Sequence, residues 1–242
     1  MITVIIVSLN SGKTIGSAIS SVLSLDILNL ELLVIDGASS DKTLDILTHY
    51  EKMVSLGLYG EKKIKWISEK DTGIYDAMNK GVKMASYDWV YFLGADDYLL
   101  PDFGKVINVL DNANNVYYFN CYMSALGKKH DGYFNAYKLS YKNICHQSIV
   151  YPKKKLLQYP FNLDYKIVAD YFLNLQLWSN PQIKFIYTPI TIAVFSGDGI
   201  SSNNIDSKFY DNIFSIMKSN LGLRYAIYGK IVYALHRFLK NR

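Results

Sequence analysis

Residues 33–41 read Leu33-Val34-Ile35-Asp36-Gly37-Ala38-Ser39-Ser40-Asp41. An apolar run that stops at an acid, a glycine and two serines is typical of a buried strand that ends in a loop. Residues 3–9, 64–67 and 89–93 are further apolar runs, and residues 15–23 and 74–85 between them carry apolar side chains at helical spacing. This repetition of strand and helix predicts an α/β fold with a largely parallel sheet covered on both faces.

Polar clusters follow each of these apolar runs. The carboxyl ends of parallel strands share one edge of an open sheet, where ligands bind. We therefore expect six acids to gather at a single rim. The clusters are Asn10-Ser11, Asp36-Gly37-Ala38-Ser39-Ser40-Asp41, Glu69-Lys70-Asp71-Thr72-Gly73 and Gly94-Ala95-Asp96-Asp97.

The second half of the chain has a looser pattern. Residues 116–119, 183–187 and 191–195 are predicted strands, and residues 167–177 are a predicted helix. Residues 205–242 hold seven Lys/Arg and two Asp, which accounts for the whole net charge of +5. Residues 1–204 are then neutral, so we do not expect a groove that binds nucleic acid across the main domain.

Composition limits the class of protein. With 242 residues and 50% hydrophobic content the chain can bury a substantial core. The cysteines Cys121 and Cys145 lack the spacing of a zinc site and the density of a disulfide scaffold. The first residues read as a strand and not as a signal peptide, and no uncharged apolar run reaches the roughly 20 residues that span a bilayer. We expect a soluble protein in the cytoplasm.

Asp96 and Asp97 form the most informative pair of acids. Adjacent carboxylates at a strand end supply the hard oxygen ligands that Mg²⁺ or Mn²⁺ prefers. Such a metal can bridge two phosphates of a nucleotide. Taken alone, the pair could equally be an ordinary acidic turn. A P-loop is excluded because Val7 stands where that motif needs its first glycine.

Taken together, the clusters resemble family 2 of the GT-A glycosyltransferases, especially members that build bacterial O-antigen and capsule repeat units. The matching segments are Val4-Ile5-Ile6-Val7-Ser8-Leu9-Asn10, Leu33-Val34-Ile35-Asp36-Gly37-Ala38-Ser39-Ser40-Asp41-Lys42-Thr43, Ser68-Glu69-Lys70-Asp71-Thr72-Gly73-Ile74-Tyr75-Asp76-Ala77-Met78-Asn79-Lys80-Gly81 and Phe92-Leu93-Gly94-Ala95-Asp96-Asp97. The resemblance is dense over residues 1–100 and thinner to about residue 202. It implies a GT-A-type, Rossmann-like sheet flanked by helices, with a nucleotide-sugar-binding half (residues 1–100), an acceptor-binding half (residues 101–204) and a C-terminal helical extension (residues 205–242).

The resemblance also implies roles for residues at the rim. Asp36 would contact the nucleobase, Asp96 the ribose and Asp97 the metal, Mn²⁺ or Mg²⁺. Asn10 and Asp71 are assigned to the donor as well. Gly94 stands where some members have another acid, so donor phosphates and water would complete the metal's shell.

Two residues near Asp71, in the segment 68–81, have other possible roles. Asp71 is the better ligand candidate of the two acids that flank Gly73, and Asp76, one turn into a helix, could be a ligand or, equally, a cap or helix-dipole partner. Gly73, between Asp71 and Asp76, is a place where the backbone could approach the donor closely.

Inverting transfer needs a base, which the family places near the start of a helix in the second half. Asp170 matches that position. Asp164 is the competing assignment, and an ordinary solvated helix acid is the third alternative. His146 and Gln147 are candidates for an acceptor or diphosphate contact, although a structural histidine explains the pair equally well. Residues 196–201 read as a loop that could close over the donor, or as an ordinary turn.

The predicted function is thus inverting transfer from a nucleotide diphosphate sugar, a UDP-sugar, to a saccharide hydroxyl, with a polyprenyl-diphosphate-linked acceptor as the lipid-linked candidate. A metal-dependent nucleotidyltransferase is one alternative, although residues 10–13 are a poor version of its triphosphate-gripping loop. A non-catalytic sugar-nucleotide-binding module is the other, disfavoured by the presence of Asp97 and Asp170.

The tail carries apolar side chains at helical spacing among basic residues. Packing on protein and peripheral attachment to the anionic inner leaflet of the cytoplasmic membrane are both open interpretations. The apolar residues are Ile227, Tyr228, Ile231, Val232, Leu235, Phe238 and Leu239, and the basic ones are Arg224, Lys230, Arg237, Lys240 and Arg242.

Overall fold

The computed structural model describes residues 1–129, 132–196 and 206–240. Within these ranges the strands are β1 (Ile2–Ser8), β2 (Leu30–Asp36), β3 (Lys63–Ser68), β4 (Trp89–Gly94), β5 (Tyr98–Leu99), β6 (Val116–Met123), β7 (Lys128–Lys129), β8 (Ile149–Pro152) and β9 (Phe185–Phe195). The α-helices of the same ranges are α1 (Ile15–Leu23), α2 (Thr43–Ser55), α3 (Ile74–Met84), α4 (Ala136–Leu139), α5 (Lys153–Gln158), α6 (Ala169–Ser179), α7 (Ser207–Asp211), α8 (Ile213–Leu221) and α9 (Leu223–Lys240).

One sheet organises the molecule, with strand order β3-β2-β1-β4-β8-β6-β9-β5 and β7 paired to β6. The strands β3, β2, β1 and β4 are all parallel. β8 runs antiparallel to β4 and to β6, whereas β9 is parallel to β6. The predicted α/β class is confirmed, and the parallel pairing is concentrated in the first half of the chain.

The register of the four parallel strands aligns their ends. Ser8 of β1 pairs with Asp36 of β2, and Asp36 pairs in turn with Ser68 of β3. On the other side of β1, Val7 pairs with Gly94 at the end of β4. The polar clusters that follow these strands therefore leave the sheet along one line, as the apolar runs predict.

Two apolar layers cover the sheet. Successive side chains of a strand point to opposite faces, so Ile5 of β1 packs in one core and Val4 and Ile6 in the other. The helix α3 approaches its face closely at Gly81, where a Cβ would lie 2.8 Å from the Cγ2 atom of Ile5. A larger residue there would push α3, and the loop that precedes it, away from the sheet.

The two strands predicted at residues 183–187 and 191–195 are wrong as separate elements. They form the single strand β9, which contains Pro189. Pairing with β6 is interrupted at this point: Tyr187 lies opposite Tyr118 and Thr191 opposite Asn120. Three residues of β9 thus face one residue of β6, and this bulge accommodates a proline that has no N–H to donate to the ladder.

The predicted C-terminal helical extension is present as α7, α8 and α9. The helix α9 packs against α4. The centre of the Tyr137 ring on α4 lies 4.8 Å from that of Tyr225 and 5.1 Å from that of Tyr228 on α9. At Gly229 the approach is so close that a Cβ would overlap the Ser140 carbonyl oxygen. One face of the tail is therefore packed on the domain.

Another face of α9 carries an exposed apolar stripe. Leu223, Ile227, Ile231 and Leu235 follow one another at four-residue spacing, and each is about half exposed. Of the helices that the structure describes, none has the length and apolar character required to cross a membrane. The side chains of Arg237, Phe238, Leu239 and Lys240, and residue Arg242, lie outside the described part of the chain.

Candidate functional site

The loops that follow β1 and β2 are tied to each other. The Asn10 N–H donates to Ser39 Oγ at 2.7 Å, and the Asn10 side-chain oxygen accepts the Ser40 N–H at 2.9 Å. Asn10 adopts a φ of 51°, in the left-handed region that asparagine tolerates better than most residues. The side chain predicted to bind donor thus already holds a contact between two loops.

Asp36 is fully buried at the end of β2. Its Oδ1 accepts the hydroxyls of Ser8 (3.0 Å) and Ser39 (2.5 Å), and its Oδ2 accepts the Ser39 N–H (2.8 Å) and the Ser68 hydroxyl (2.7 Å). A carboxylate offers about four lone-pair sites, so the chain's own donors saturate Asp36. This acid joins the ends of β1, β2 and β3.

Asp71 stands beside Asp36 but has a different environment. A Cβ on Gly37 would lie 2.8 Å from Asp71 Oδ2, so the missing side chain at position 37 leaves room for this carboxylate. Asp71 Oδ1 accepts the Gly73 N–H at 2.9 Å. Gly73 has a φ of 131°, a backbone conformation that favours glycine. Asp71 is thereby held at the rim with one oxygen turned to the loop.

Asp76 has a structural role at the start of α3. Its Oδ2 accepts the Thr72 N–H at 3.0 Å and lies 3.8 Å from Lys80 Nζ. The hydrogen bond from Thr72 holds the pKa of Asp76 below its usual range. Of the two alternatives for this acid, the geometry favours the helix-end one.

Asp97, after β4, is buried beside Asp96. Its Oδ2 accepts the Gln147 Nε2 donor at 2.8 Å, and its Oδ1 accepts the Ser196 N–H at 2.9 Å. The Ser196 hydroxyl also donates to Asp96 Oδ2 at 2.7 Å. Burial raises the pKa of Asp97, and the charge of Asp96 adds to that effect. One residue at the end of β9 thus orients both acids.

These two acids fit a divalent cation that is completed by its substrate. A Cβ at position 94 would overlap Asp97 Oδ2 and lie 3.0 Å from Asp96 Oδ1, so glycine is what lets both carboxylates face this space. In the described ranges no cluster of three or more His, Cys, Asp or Glu side chains could hold a metal ion. Mg²⁺ and similar ions commonly take one or two carboxylates together with water and substrate phosphates.

Asp170 lies in the first turn of α6 with its side chain only 12% exposed. Its Oδ1 accepts the Tyr171 N–H at 2.8 Å and lies 3.0 Å from the Tyr75 hydroxyl, whose proton it shares with the Ile167 carbonyl. Its Oδ2 accepts one bond, from Asn143 Nδ2 at 2.9 Å. Burial raises the pKa of Asp170. Oδ2 is the oxygen that keeps a lone pair for a proton.

The alternatives for the base differ from Asp170 in their surroundings. Asp164 has a side chain 63% exposed and pairs with Lys208 Nζ at 2.8 Å, which lowers its pKa. Asp170, in contrast, is not a solvated helix acid. The geometry therefore favours Asp170 over both alternatives.

His146 and Gln147 lie side by side in the chain and contact different acids of the site. His146 Nδ1 is 3.9 Å from Asp170 Oδ2, and a positive charge on this ring would offset part of the burial that raises the pKa of Asp97 and Asp170. Gln147, a candidate for an acceptor or diphosphate contact, donates to Asp97, and the candidate contact stays a prediction. Sequence reasoning missed both Asn143, which lies outside the quoted motifs, and Tyr75, which lies inside the segment 68–81 but was assigned no role.

The predicted donor-covering loop begins at Ser196, and its remaining residues, 197–201, lie outside the described residues.

Comparisons with known proteins identify the family of this chain. A family model described as Glycosyl transferase family 2 matches residues 3–173. A PGL/p-HBAD biosynthesis glycosyltransferase of Mycobacterium bovis is 31% identical over 234 residues, which cover 94% of this chain and 88% of the relative. The same name is carried by a Mycobacterium tuberculosis protein of equal identity and coverage.

Solved structures share the fold. Staphylococcus aureus TarS 1–349 in complex with UDP-GlcNAc has a TM-score of 0.68 and 16% identity, covering 90% of this chain and 66% of that one. The mannosyltransferase PcManGT from Pyrobaculum calidifontis, in complex with GDP-Man and Mn²⁺, has a TM-score of 0.64 and 14% identity, covering 97% and 75%. This chain spans just under two thirds of the TarS chain. The predicted GT-A-type fold is confirmed.

Replacement of Asp36 by asparagine tests whether this acid supports the fold. We expect Asp36→Asn to lower the free energy of unfolding by about 1–3 kcal/mol, because an NH₂ group would face donors where an acceptor is needed. The matched change Asp71→Asn, at the rim, should stay within about 0.5 kcal/mol of the wild type. Urea unfolding measures both. Unchanged stability of Asp36→Asn together with lost nucleotide binding would contradict the supporting role.

Proposed function

The chain belongs to glycosyl transferase family 2, and from that premise we propose that it transfers a sugar, with inversion, from a nucleotide diphosphate sugar to a saccharide hydroxyl. The observation that carries the proposal is that the neighbours His146 and Gln147 reach two kinds of carboxylate: His146 Nδ1 lies 3.9 Å from Asp170 Oδ2, and Gln147 Nε2 donates to Asp97 Oδ2 at 2.8 Å. Asp96 and Asp97 suit a cation and a diphosphate, and Asp170 Oδ2 suits a proton. Displacement at an anomeric carbon requires charge stabilisation at the leaving diphosphate and a base for the proton of the acceptor hydroxyl, and these two kinds of carboxylate would supply them.

The donor side of the proposal uses the rim. Asp96 takes the ribose, Asp71 faces the nucleobase from above Gly37, and Asn10 holds the loop beside them. The nucleobase contact predicted for Asp36 stays a prediction, and the saturation of its lone pairs favours a supporting role. We propose a UDP-sugar as donor. The UDP-GlcNAc in the TarS complex supports uridine, and the GDP-Man in the PcManGT complex makes guanosine the alternative to test.

The cation we propose is Mn²⁺ or Mg²⁺, held by Asp97. When bound, such an ion neutralises the charge of the departing diphosphate. Gln147 and Ser196 fix the two oxygens of Asp97, so the carboxylate meets the ion already oriented. The Mn²⁺ in the PcManGT complex supports this part of the proposal.

Proton acceptance is the role proposed for Asp170. The acceptor oxygen bonds to the anomeric carbon as the bond from that carbon to the diphosphate oxygen breaks, and the hydroxyl proton moves to Asp170 Oδ2. The raised pKa of the buried carboxyl makes it a stronger base than an exposed aspartate. Neither a nucleotidyltransferase nor a silent binding module has an observation in its favour.

The acceptor we propose is lipid-linked, a saccharide on a polyprenyl diphosphate or a similar carrier, at the inner face of the cytoplasmic membrane. The exposed stripe Leu223, Ile227, Ile231 and Leu235 supports this idea, because an interfacial helix buries such a face at the acyl boundary. Arg224 and Lys230 are exposed on the same helix and match anionic headgroups in charge. The opposite face of α9 packs on α4, so the domain would approach the membrane in one orientation.

A donor panel tests the proposed reaction and its cation together. We expect the wild-type chain with Mn²⁺ to release nucleoside diphosphate from one UDP-sugar, and Asp97→Ala to lose this activity by more than tenfold, or about 1.4 kcal/mol in barrier. Asp102→Asn is the control, since Asp102 is an exposed acid paired with Lys105 away from the rim. Turnover of Asp97→Ala within tenfold of the control would rule out Asp97 as the metal ligand.

The base assignment is tested by Asp170→Asn, which keeps the shape of the side chain. We expect kcat to fall by about 10²–10⁴-fold while the affinity for UDP stays the same, since the lost group acts only on the proton. Calorimetric titration of UDP accompanies the rate assay, and NMR of the product shows whether the anomeric configuration has inverted. Parallel losses of affinity and rate, or a retained configuration, would overturn the assignment.

Vesicle co-sedimentation tests the membrane stripe. We expect the chain to pellet with anionic vesicles but not with neutral ones, and Ile227→Ser with Ile231→Ser to abolish pelleting. Leu56→Ser with Leu58→Ser is the matched control, since these leucines are 66% and 63% exposed and lie near the end of α2. Added salt should weaken binding, because it screens the basic side chains. Equal pelleting of both double variants would exclude the stripe as the membrane surface.

A further inference from the structure

A chain of buried hydrogen bonds ends on the oxygen proposed to take the proton. The Tyr151 hydroxyl donates to Asn174 Oδ1 at 2.8 Å, and Asn174 Nδ2 donates to Asn143 Oδ1 at 2.8 Å. Asn143 Nδ2 then donates to Asp170 Oδ2 at 2.9 Å. Tyr151 and Asn174 are fully buried, so they act on Asp170 only through the protein. None of the three residues belongs to the motifs of the rim.

The chain of bonds has one direction. Each asparagine accepts with its oxygen and donates with its nitrogen. Asn174 lies four residues after Asp170 on α6, one helical turn away, while Tyr151 is on β8 and Asn143 on the loop after α4. If Asn143 turned its amide over, its oxygen would face the carboxylate of Asp170 and two acceptors would meet. The bonds from Tyr151 and Asn174 oppose that turn.

We propose that Asn174 and Asn143 are positioning residues that lock the carboxylate of Asp170 and favour its ionised form. The inference rests on the proposed function of Asp170. Held in this way, Oδ2 receives one N–H on one side and keeps its other lone pair for the acceptor hydroxyl. Since a hydrogen bond to the charged form lowers the pKa of a carboxyl, the same bond offsets part of the effect of burial.

Other titratable groups also face Asp170. His146 is 3.9 Å from Oδ2, and Tyr75 contacts Oδ1. Tyr151, Tyr210 and Cys145 interact with it electrostatically from β8, α7 and the loop before β8. Of these groups, Tyr151 bonds to Asn174 and loses its acceptor when Asn174 is replaced. A shift in the titration of Asp170 that persists when the Tyr151 hydroxyl is also removed therefore reports on the hydrogen-bond chain.

The test replaces Asn174 by leucine, which has a similar size and no hydrogen-bonding groups. We expect kcat to fall about 10–100-fold with an unchanged KM for the donor, because the base is misplaced while the donor rim is untouched. The acidic limb of the kcat–pH profile should move to higher pH. A carbon-13 titration of the Asp170 carboxyl, assigned by its absence in Asp170→Asn, should show the same upward shift without any turnover.

The double variant Tyr151→Phe with Asn174→Leu separates positioning from stability. Removing the hydroxyl that Asn174→Leu leaves unpaired should restore thermal stability, whereas kcat and the carboxyl titration should stay altered. Tyr118→Phe is the control for loss of a buried hydroxyl. Tyr118 lies on β6, and its hydroxyl accepts the Phe134 N–H. Recovery of kcat together with stability, or an unshifted carboxyl titration in Asn174→Leu, would overturn the proposal. If the wild-type chain transfers no sugar, the proposed function fails, and the titration still decides the role of Asn174.

Discussion

The saturated carboxylate of Asp36 is the constraint on which the rest of the site depends. A buried charge costs several kcal/mol unless hydrogen bonds compensate it. Here the compensation comes from Ser8 and Ser68 at the ends of β1 and β3, and from Ser39 in the loop after β2. Any displacement of one strand end would leave part of the charge unsatisfied. The positions of the loops after β1, β2 and β3 are therefore coupled, and Asp71 inherits its place above Gly37 from that coupling.

Asp97 and Asp170 differ from Asp36 because hydrogen-bond donors of the described residues do not saturate their carboxylates. Each is buried enough to have a raised pKa, and each keeps lone pairs that no donor in the described residues fills. A carboxyl with a raised pKa in the folded state binds more protons there than in the unfolded chain, so its contribution to stability falls as pH rises from the ordinary value through the raised one. The fold thus bears an electrostatic cost at these two positions, and a cation or a proton donor would relieve it.

The sequence predicts the parts of this arrangement that depend on local pattern. Apolar runs ending in polar clusters predicted the parallel strands and their common edge. The choice of Asp170 as the base came from the family resemblance, and its role stays a prediction. The sequence could not predict that Asp36 is saturated, because its donors Ser8 and Ser68 lie 28 and 32 residues away in the chain. The bulge that carries β9 past Pro189 depends on pairing with β6, which a local pattern does not contain. Asn174 and Tyr151 look like ordinary interior positions until their bonds are followed.

The close approach of Gly229 to Ser140 connects the C-terminal helix with the segment that leads to the proposed base. Ser140 lies three residues before Asn143, whose amide reaches the carboxylate of Asp170. A methyl group at position 229 would overlap the Ser140 carbonyl and could be accommodated only by moving α9 outward or the segment toward Asn143 inward. Position 229 of this peripheral helix is therefore restricted to glycine by its contact with the domain. Substitutions that alter what α9 binds would have to fall on the face of the helix that points away from Ser140.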